Sequence, residues 1–267
     1  MAFNKNELII DRVRSVSVND LEDGSLLFRL TQIEEPSLNC TAEGEEVTDA
    51  VGSVITTMYR SKKATFGASN SLISLDLAAA QYGSKKQVGA DEEGNKIVVP
   101  EYEIKEVVDG KVTLKHVPTV DDGGQSKVKF IYAIENGEIG ATYTAGAAVS
   151  DTEFTIDENG VITVPNGVTG KVYVEYEYET ENALYIRNDA SKFPEACSVI
   201  IYVIFRDKCN ENKVYSGRIV CPKAKLNPES IELALTSAGK HAFEFTMMKD
   251  YCADEGEDEL FHIVVAE

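Results

Sequence analysis

The sequence lacks tryptophan altogether and contains only three histidines in 267 residues. Proteins that bind or cleave sugars commonly stack them on tryptophan, so its absence makes a carbohydrate-acting or carbohydrate-binding β protein a weak alternative. The histidines, at positions 116, 241 and 262, lie far apart and each falls within a strand pattern. We therefore expect structural roles for His116, His241 and His262 rather than metal binding or proton transfer.

Cysteine is scarce and its spacing is unlike that of a disulfide or zinc framework. The five cysteines are Cys40, Cys197, Cys209, Cys221 and Cys252. Their number is odd and no CxxC pair occurs, and the start of the chain lacks the layout of a signal peptide. The sequence therefore predicts five free thiols in a protein made in a reducing cytoplasm.

Positively charged residues and long apolar runs are also scarce. The chain has 26 Lys and Arg against 45 Asp and Glu, a net charge of −19, and its longest basic runs are two lysines, at 62–63 and 85–86. This charge balance argues against a nucleic-acid-binding surface. No apolar run approaches the roughly 18 residues that span a bilayer. The acidic excess is explained either by a solubility coat or by a surface that repels DNA passing close by.

Catalytic and metal-binding motifs are missing as well. The sequence has no GxSxG elbow, no P-loop, no HExxH and no GxGxxG after a strand. The acidic run at 254–259 does not have the spacing of an EF-hand loop, so we expect a solvated turn there, with weak calcium binding as the alternative. The sequence predicts no catalytic, cofactor-binding or metal-binding residue and no enzyme activity.

What the chain does contain is a series of short strand patterns. Twelve Tyr and ten Phe, together with β-branched residues, suit pleated and half-buried surfaces. Strands are predicted at 26–33, 54–59, 64–66, 197–205, 213–221, 230–235, 242–246 and 260–265. The residues alone thus indicate a mainly β protein whose function lies in its surface.

One helix and one long loop interrupt these strands. Residues 71–82 predict a helix that Ser69 or Asn70 caps and Gly83 ends. Its apolar residues fall on more than one side, which predicts a buried helix, with an interaction helix as the alternative. The acidic and small residues from Cys40 to Gly52 predict a functional or mobile loop.

The middle of the chain has the pattern of a separate domain. A charged, glycine-rich connector at 83–96 precedes hairpins whose turns are Asp109-Gly110 and Asn159-Gly160. Residues 171–179 alternate as a half-exposed antiparallel strand does. The spacing of these strands predicts a small β-sandwich over 101–182.

Several stretches resemble the tail tube (major tail) proteins of tailed bacteriophages, particularly those of gut clostridial phages. These stretches lie at 30–38, 43–52, 65–72, 222–226 and 239–246. The resemblance covers about 1–85 and 183–267, and it implies a tail-tube-like β-sandwich or barrel with one buried helix. In such proteins a Pro-Lys-Ala-like turn, here at 222–224, ends one strand and leads to another that pairs within a sandwich.

The resemblance also implies a function and a domain plan. Residues 1–100 and 183–267 would form the tube-forming β domain, and 101–182 an inserted, outward-facing β-sandwich. Six copies would close into a ring, and stacked rings would form the virion's tail tube, through which the genome is delivered without specific DNA binding. Its partners would be other copies and the tip, terminator and tape measure proteins, with no membrane. A capsid decoration protein or another virion β-sandwich protein is the main alternative.

Overall fold

The structure is a computed structural model that describes residues 7–90, 94–121, 123–210, 212–228, 231–233, 236, 239–251 and 259–266. Over these residues the chain is mainly β with one short helix, which confirms the predicted fold class. The first elements are β1 (Leu8–Asn19), β2 (Leu26–Leu30), β3 (Ile33–Thr48), β4 (Val54–Asn70), α1 (Leu75–Gln81), β5 (Gln87–Val88), β6 (Ile97–Glu106), β7 (Lys111–Thr113) and β8 (Phe130–Glu135). They are followed by β9 (Glu138–Ala145), β10 (Glu153–Ile156), β11 (Val161–Thr163), β12 (Lys171–Thr180), β13 (Leu184–Tyr185), β14 (Ala196–Asp207), β15 (Val214–Leu226), β16 (His241–Met247) and β17 (His262–Ala266).

The chain folds as two compact units, and the second is inserted into the first. The first unit comprises Met1–Lys86 and Ile186–Glu267, and the second comprises Gln87–Tyr185. The segment predicted as the inserted β-sandwich, 101–182, lies within the second unit. That unit begins earlier because β6 starts at Ile97 and pairs with β12 along its whole length.

The first unit is built on one eight-stranded sheet. Its strand order is β2-β1-β14-β15-β16-β4-β3, and β17 pairs with β15 beside this path. The central strand β14 alternates buried and half-buried side chains, as a strand with one core face does. Val199 and Ile201 of β14, Phe245 of β16 and Leu77 of α1 meet in its core.

Strand β15 does not end at Pro222, which corrects the expected turn at 222–224. The strand continues to Leu226, and its two halves have different partners. Residues 216–220 pair with β17, whereas residues 224–226 pair with β16. Pro222 lacks an N–H, and it lies within an irregularity of the pairing between β14 and β15, where Cys197 pairs with Ala224 and Val199 with Cys221. Proline is tolerated at such an irregularity, so the strand passes through it.

The predicted helix is present but shorter than expected. It begins at Leu75 because β4 continues to Asn70, and Ser74 caps it by accepting a hydrogen bond from the N–H of Leu77 at 3.3 Å. Gly83 follows the helix with φ of 62°. A Cβ at Gly83 would stand 2.3 Å from the carbonyl oxygen of Phe193, so glycine is required both for its φ and for this close approach.

The second unit has its own sheet and its own core. The strand order is β6-β12-β8-β9-β10-β11-β7, and β5 pairs separately with β13. The core contains Phe154, Ile162, Val172 and Val174, all fully buried. The Asp109-Gly110 turn between β6 and β7 has positive φ at both residues, as the sequence predicted for this dipeptide.

Two expected elements fall partly on residues that the structure does not describe. Half of the strand predicted at 230–235 lies there, and Leu233, which is described, bridges to His241. The acidic run at 254–259 lies there too, apart from Glu259. The strand predicted at 260–265 is present as β17 but begins at His262.

Candidate assembly surfaces

The three histidines have different surroundings. His116 stacks on the ring of Tyr178 in the second unit, with ring centroids 4.0 Å apart. His262 lies 2.9 Å from a carboxylate oxygen of Glu259, near the last strand. Within the described ranges, no group of three or more His, Cys, Asp or Glu side chains is placed to hold a metal ion. Nor does any described helix combine the length and apolarity needed to cross a membrane.

His241 is buried and joins the helix to the sheet of the first unit. Its Nε2 lies 2.7 Å from Oε1 of Gln81, and the amide nitrogen of Gln81 donates to the carbonyl oxygen of Ala242 at 3.0 Å. Because an amide oxygen only accepts, Nε2 of His241 carries the proton. Its Nδ1 finds no hydrogen-bond partner among the described residues, and burial lowers the pKa of the ring.

This lowered pKa predicts that acid destabilises the first unit. Above about pH 6.5 the ring is neutral in both the folded and the unfolded chain, so its protonation contributes nothing to stability. As the pH falls below that value, the unfolded chain binds a proton that the folded chain does not, and stability is lost. We expect the urea midpoint to fall between pH 7 and 5.5, and to fall less in His241→Gln. The same change at exposed His262 is the control, and an identical pH profile for His241→Gln and the wild type would contradict the prediction.

Four of the five cysteines lie on described residues, and all four are free thiols. Cys40 and Cys209 are exposed, whereas Cys197 and Cys221 are buried in the sheet of the first unit. Burial raises the pKa of both buried thiols to about 12. The thiolate is the reactive form, so these two side chains are inert packing groups in the folded protein.

Thiol labelling checks this arrangement and the prediction of five free thiols. In the native protein, a disulfide reagent is expected to modify Cys40 and Cys209 quickly and to leave Cys197 and Cys221 unmodified. After unfolding without reductant, all five cysteines should react, including Cys252, which lies outside the described residues. Recovery of only one or three thiols from the unfolded protein would show that disulfides exist.

The most prominent surface feature of the first unit is a two-stranded arm. We define the arm as residues 41–63, where the outer parts of β3 and β4 pair from Thr41 with Lys63 to Thr48 with Val54. The segment expected to be a loop is therefore mostly strand. Every residue of the arm is exposed except half-buried Thr57. At about 3.4 Å per residue, the eight residues 41–48 of β3 extend roughly 25 Å.

The tip of the arm is an ordered turn. Oδ1 of Asp49 accepts hydrogen bonds from the N–H groups of Val51 and Ser53 at 2.9 and 2.8 Å. The N–H of Asp49 also donates to the carbonyl oxygen of Ser53, and Gly52 takes a φ of 88°. Such an aspartate turn gives the tip one conformation.

The arm exposes large apolar side chains to solvent. Tyr59 is 74% exposed and Ile55 is 65% exposed. The complete set of exposed large apolar residues in the arm is Val47, Val51, Val54, Ile55, Met58 and Tyr59. An isolated two-stranded hairpin is marginally stable in water, and a contiguous apolar patch marks an interaction site. The arm therefore has the properties of a surface that a partner covers.

The charges of the arm are divided between its two strands. Glu43, Glu45 and Glu46 lie on β3, whereas Arg60, Lys62 and Lys63 lie on β4. Two ion pairs cross between the strands, from Arg60 to Glu45 at 3.8 Å and from Lys63 to Glu43 at 3.6 Å. These exposed pairs contribute little stability, but oppositely charged edges favour one orientation of a docking partner.

Strand edges of the first unit are further candidate contacts. Strands β2 and β17 each have one side that no described strand covers, and both expose apolar residues. The exposed residues are Leu26 and Leu27 on β2 and Ile263 and Val264 on β17. Uncovered strand edges readily pair with another chain.

The start of α1 forms a third apolar surface. Leu72 and Ile73 precede the helix and Leu75 begins it, and all three are exposed. The opposite side of the helix is buried through Leu77 and Ala78. The apolar residues expected on a second side of the helix therefore contact solvent, as those of an interaction helix do.

Sequence reasoning missed the arm because its signal is weak in the sequence. A strand that buries neither face has no alternation of apolar and polar residues, and residues 41–48 contain only Val47 as a large apolar side chain. The sequence signal that could have predicted a hairpin here is a polar stretch followed by the apolar stretch at 54–59, with the turn-forming residues Asp49 and Gly52 between them.

Comparison with known proteins gives one family. A family model described as YomU/Tube protein family matches residues 8–258. A search of curated proteins returns no match to the chain.

Proposed function

Because the chain belongs to the YomU/Tube protein family, we propose that it is the tail tube protein of a tailed bacteriophage. The family is of a structural phage type, which makes the protein a virion component. The family match over residues 8–258 is the observation that carries the proposal. The resemblance of five segments to tube proteins of gut clostridial phages extends it to a phage of that type.

In this proposal six copies of the first unit close into a ring. A cyclic arrangement covers the edge of each copy with the next copy and leaves no free edge, which suits a unit with uncovered β2 and β17. The exposed apolar residues of these edges, including Leu26 and Ile263, would be buried in the ring. A monomeric decoration protein would leave the same residues in water.

The arm is the proposed contact between successive rings. It extends roughly 25 Å beyond paired, buried positions such as Ala64, which is far enough to reach a neighbouring subunit. Burial of Ile55 and Tyr59 against that neighbour would stabilise the stack by about 1.5–3 kcal/mol for each fully buried aliphatic side chain. Stacked rings would then form a continuous tube.

The charge of the chain suits a conduit for DNA. With 45 acidic and 26 basic residues, a wall formed by this protein would repel phosphates at close range, within a Debye length of about 8 Å at physiological salt. The genome would pass without specific binding during ejection. The tip, terminator and tape measure proteins would be its partners at the two ends and inside the tube.

Electron microscopy and mass measurement of the full chain test the proposal. At high protein concentration, or after nucleation by a tail-tip complex, we expect rings whose mass is six times that of the chain and tubes of stacked rings. Salt-sensitive retention of DNA by such tubes at low ionic strength would contradict the repulsive wall. A strictly monomeric protein under all these conditions would contradict the tube itself and favour a decoration protein.

A further inference from the structure

The second unit carries an aromatic cluster on the outer face of its sheet. In the register of β6 with β12, Ile104 lies opposite Tyr173 and Tyr102 lies opposite Glu175. Tyr173 in turn lies opposite Tyr132 of β8. The rings of Tyr102 and Tyr173 stack with centroids 5.7 Å apart, and that of Tyr132 lies 6.0 Å from Tyr173. Tyr132 and Tyr173 are half-buried, whereas Tyr102 is exposed. Aromatic side chains usually bury most of their area, so the exposure of Tyr102 needs an explanation.

Tyr102 has one ring face open to solvent. The side chain is 61% exposed even though Tyr173 stacks against it. The register places Tyr173 on the Ile104 side of Tyr102, and it places Pro100 and Glu177 on the other side. The open ring face is therefore directed along the strand toward Pro100.

Tyr102 and its neighbour Pro100 line a cavity. Its volume is about 600 Å³, within the range of small-molecule sites. The residues that line it are Pro100, Glu101, Tyr102, Lys127, Glu175, Tyr176 and Glu177. It thus combines an aromatic ring and a proline with two carboxylates on the same face of the sheet, those of Glu175 and Glu177. Glu101 and Lys127 complete the charged residues of its lining.

The polar groups of the cavity are held in place by the fold. Glu175 accepts a hydrogen bond from the hydroxyl of Tyr173, and Oε1 of Glu101 accepts one from the N–H of Tyr102 at 3.1 Å. The carbonyl oxygen of Glu177 accepts from the N–H of Thr119 at 2.7 Å, which fixes the strand at the cavity wall. Each carboxylate keeps lone pairs for a ligand, because a carboxylate accepts about four hydrogen bonds.

We propose that this cavity binds a neutral saccharide, with one face of a sugar ring on Tyr102. The C–H face of a hexose is apolar and stacks on an aromatic ring, while its hydroxyls donate to carboxylates such as Glu175 and Glu177 and accept from Lys127. The two carboxylates beside Tyr102 against one ammonium group disfavour acidic sugars. Tyrosine supplies the stacking contact here, so the lack of tryptophan does not exclude sugar binding.

The site goes beyond the proposed tube function. All seven lining residues belong to the second unit, and none belongs to the arm, to α1 or to the uncovered edges β2 and β17. Tube formation and saccharide binding are therefore separate properties, and a failure of one leaves the other standing.

Calorimetric titration of the full chain with defined oligosaccharides tests the proposal. The probes are maltohexaose, cellohexaose and chitohexaose as neutral saccharides, hexagalacturonate as an acidic one, and the chitosan hexamer as a cationic one. We expect binding of at least one neutral hexamer, no binding of hexagalacturonate, and a loss of affinity of about tenfold in Tyr102→Ala. Tyr102→Phe should keep the affinity because the ring remains.

Matched variants separate the site from general effects. Tyr251→Ala removes another exposed tyrosine, from the first unit, and should bind as the wild type does. Glu175→Gln keeps the shape of the side chain and should weaken binding through the lost charge-assisted hydrogen bond. Absence of binding by every neutral hexamer at 10 mM would overturn the proposal. So would full affinity in Tyr102→Ala, or binding of the chitosan hexamer alone, which would show a cation site instead.

Discussion

A chain without its arm is expected to fold but to form no tubes. The variant replaces residues 42–62 by Asn-Gly, a dipeptide that forms two-residue hairpins, and so joins Thr41 to its cross-strand partner Lys63. The core should be unaffected because buried Ala64 and Phe66 lie inside the retained part of β4. Loss of the apolar arm residues removes the proposed contact between rings. We expect rings but no stacked tubes in electron micrographs.

The control removes a part of the molecule that the proposed stacking contact does not use. Strands β5 and β13 pair through Val88 and Leu184, so the chain enters and leaves the second unit side by side. A short Gly/Ser linker can therefore replace residues 87–185 without opening the first unit. This variant should still form tubes. Tubes of normal length from the protein without the arm would show that the arm is not the stacking contact.

A single substitution within the arm gives a second test of whether the arm is the stacking contact. Ile55→Asp introduces a charge at a 65% exposed position of the arm, whereas Val98→Asp does the same at a 45% exposed position of the second unit. Only the first change should abolish tubes, because only the first buries an unpaired charge on stacking. Equal effects of both changes would point to general charge repulsion.

Phe245→Ala and Phe154→Ala are expected to produce the largest losses of stability, each in a different unit. Both side chains are 0% exposed, Phe245 in the core of the first unit and Phe154 in that of the second. The Phe245 ring also packs edge-on against Phe243, with centroids 5.8 Å apart. Truncation of a buried phenylalanine costs about 3–5 kcal/mol through lost burial and the cavity left behind.

Because the two cores are separate, each substitution should weaken its own unit. Peptide-resolved hydrogen exchange at increasing urea concentration measures the stability of each unit, because it reports on residues 87–185 and on the rest of the chain separately. Phe193→Ala, at a 63% exposed position, is the control and should change stability by less than about 0.5 kcal/mol. If both core variants lowered the stability of both units equally, the chain would unfold as one cooperative body.

Some features of the fold follow directly from the sequence. The alternation at 171–179 predicted a half-exposed strand, and β12 buries Val172, Val174 and Tyr176 on one face while Glu175, Glu177 and Glu179 are exposed on the other. Asp109-Gly110 predicted a tight turn, because few other dipeptides accept positive φ at both positions. The spacing of cysteine predicted free thiols, and the four cysteines that lie on described residues are free.

Other features were decided by the tertiary structure. The sequence offers several acceptable helix caps, namely Ser69, Asn70, Ser71 and Ser74. The cap is Ser74 because β4 continues as far as Asn70, which pairs with His241 of β16, a residue 171 positions further along the chain. Pro222 suggests a turn by its chemistry, but pairing on both sides of it keeps β15 extended.

The arm and the cavity at Tyr102 are candidate functional features that local sequence pattern could not predict either. Local residue pattern reports which face of a strand is buried, and the arm buries neither face, so its sequence resembles a loop. The cavity joins residues 100–102, Lys127 and residues 175–177, which are distant in the chain. The sequence by itself determined a mainly β, acidic protein that lacks recognisable catalytic motifs. Only the tertiary structure decided which of its surfaces remain open for partners, because openness depends on nonlocal pairing that no local pattern encodes.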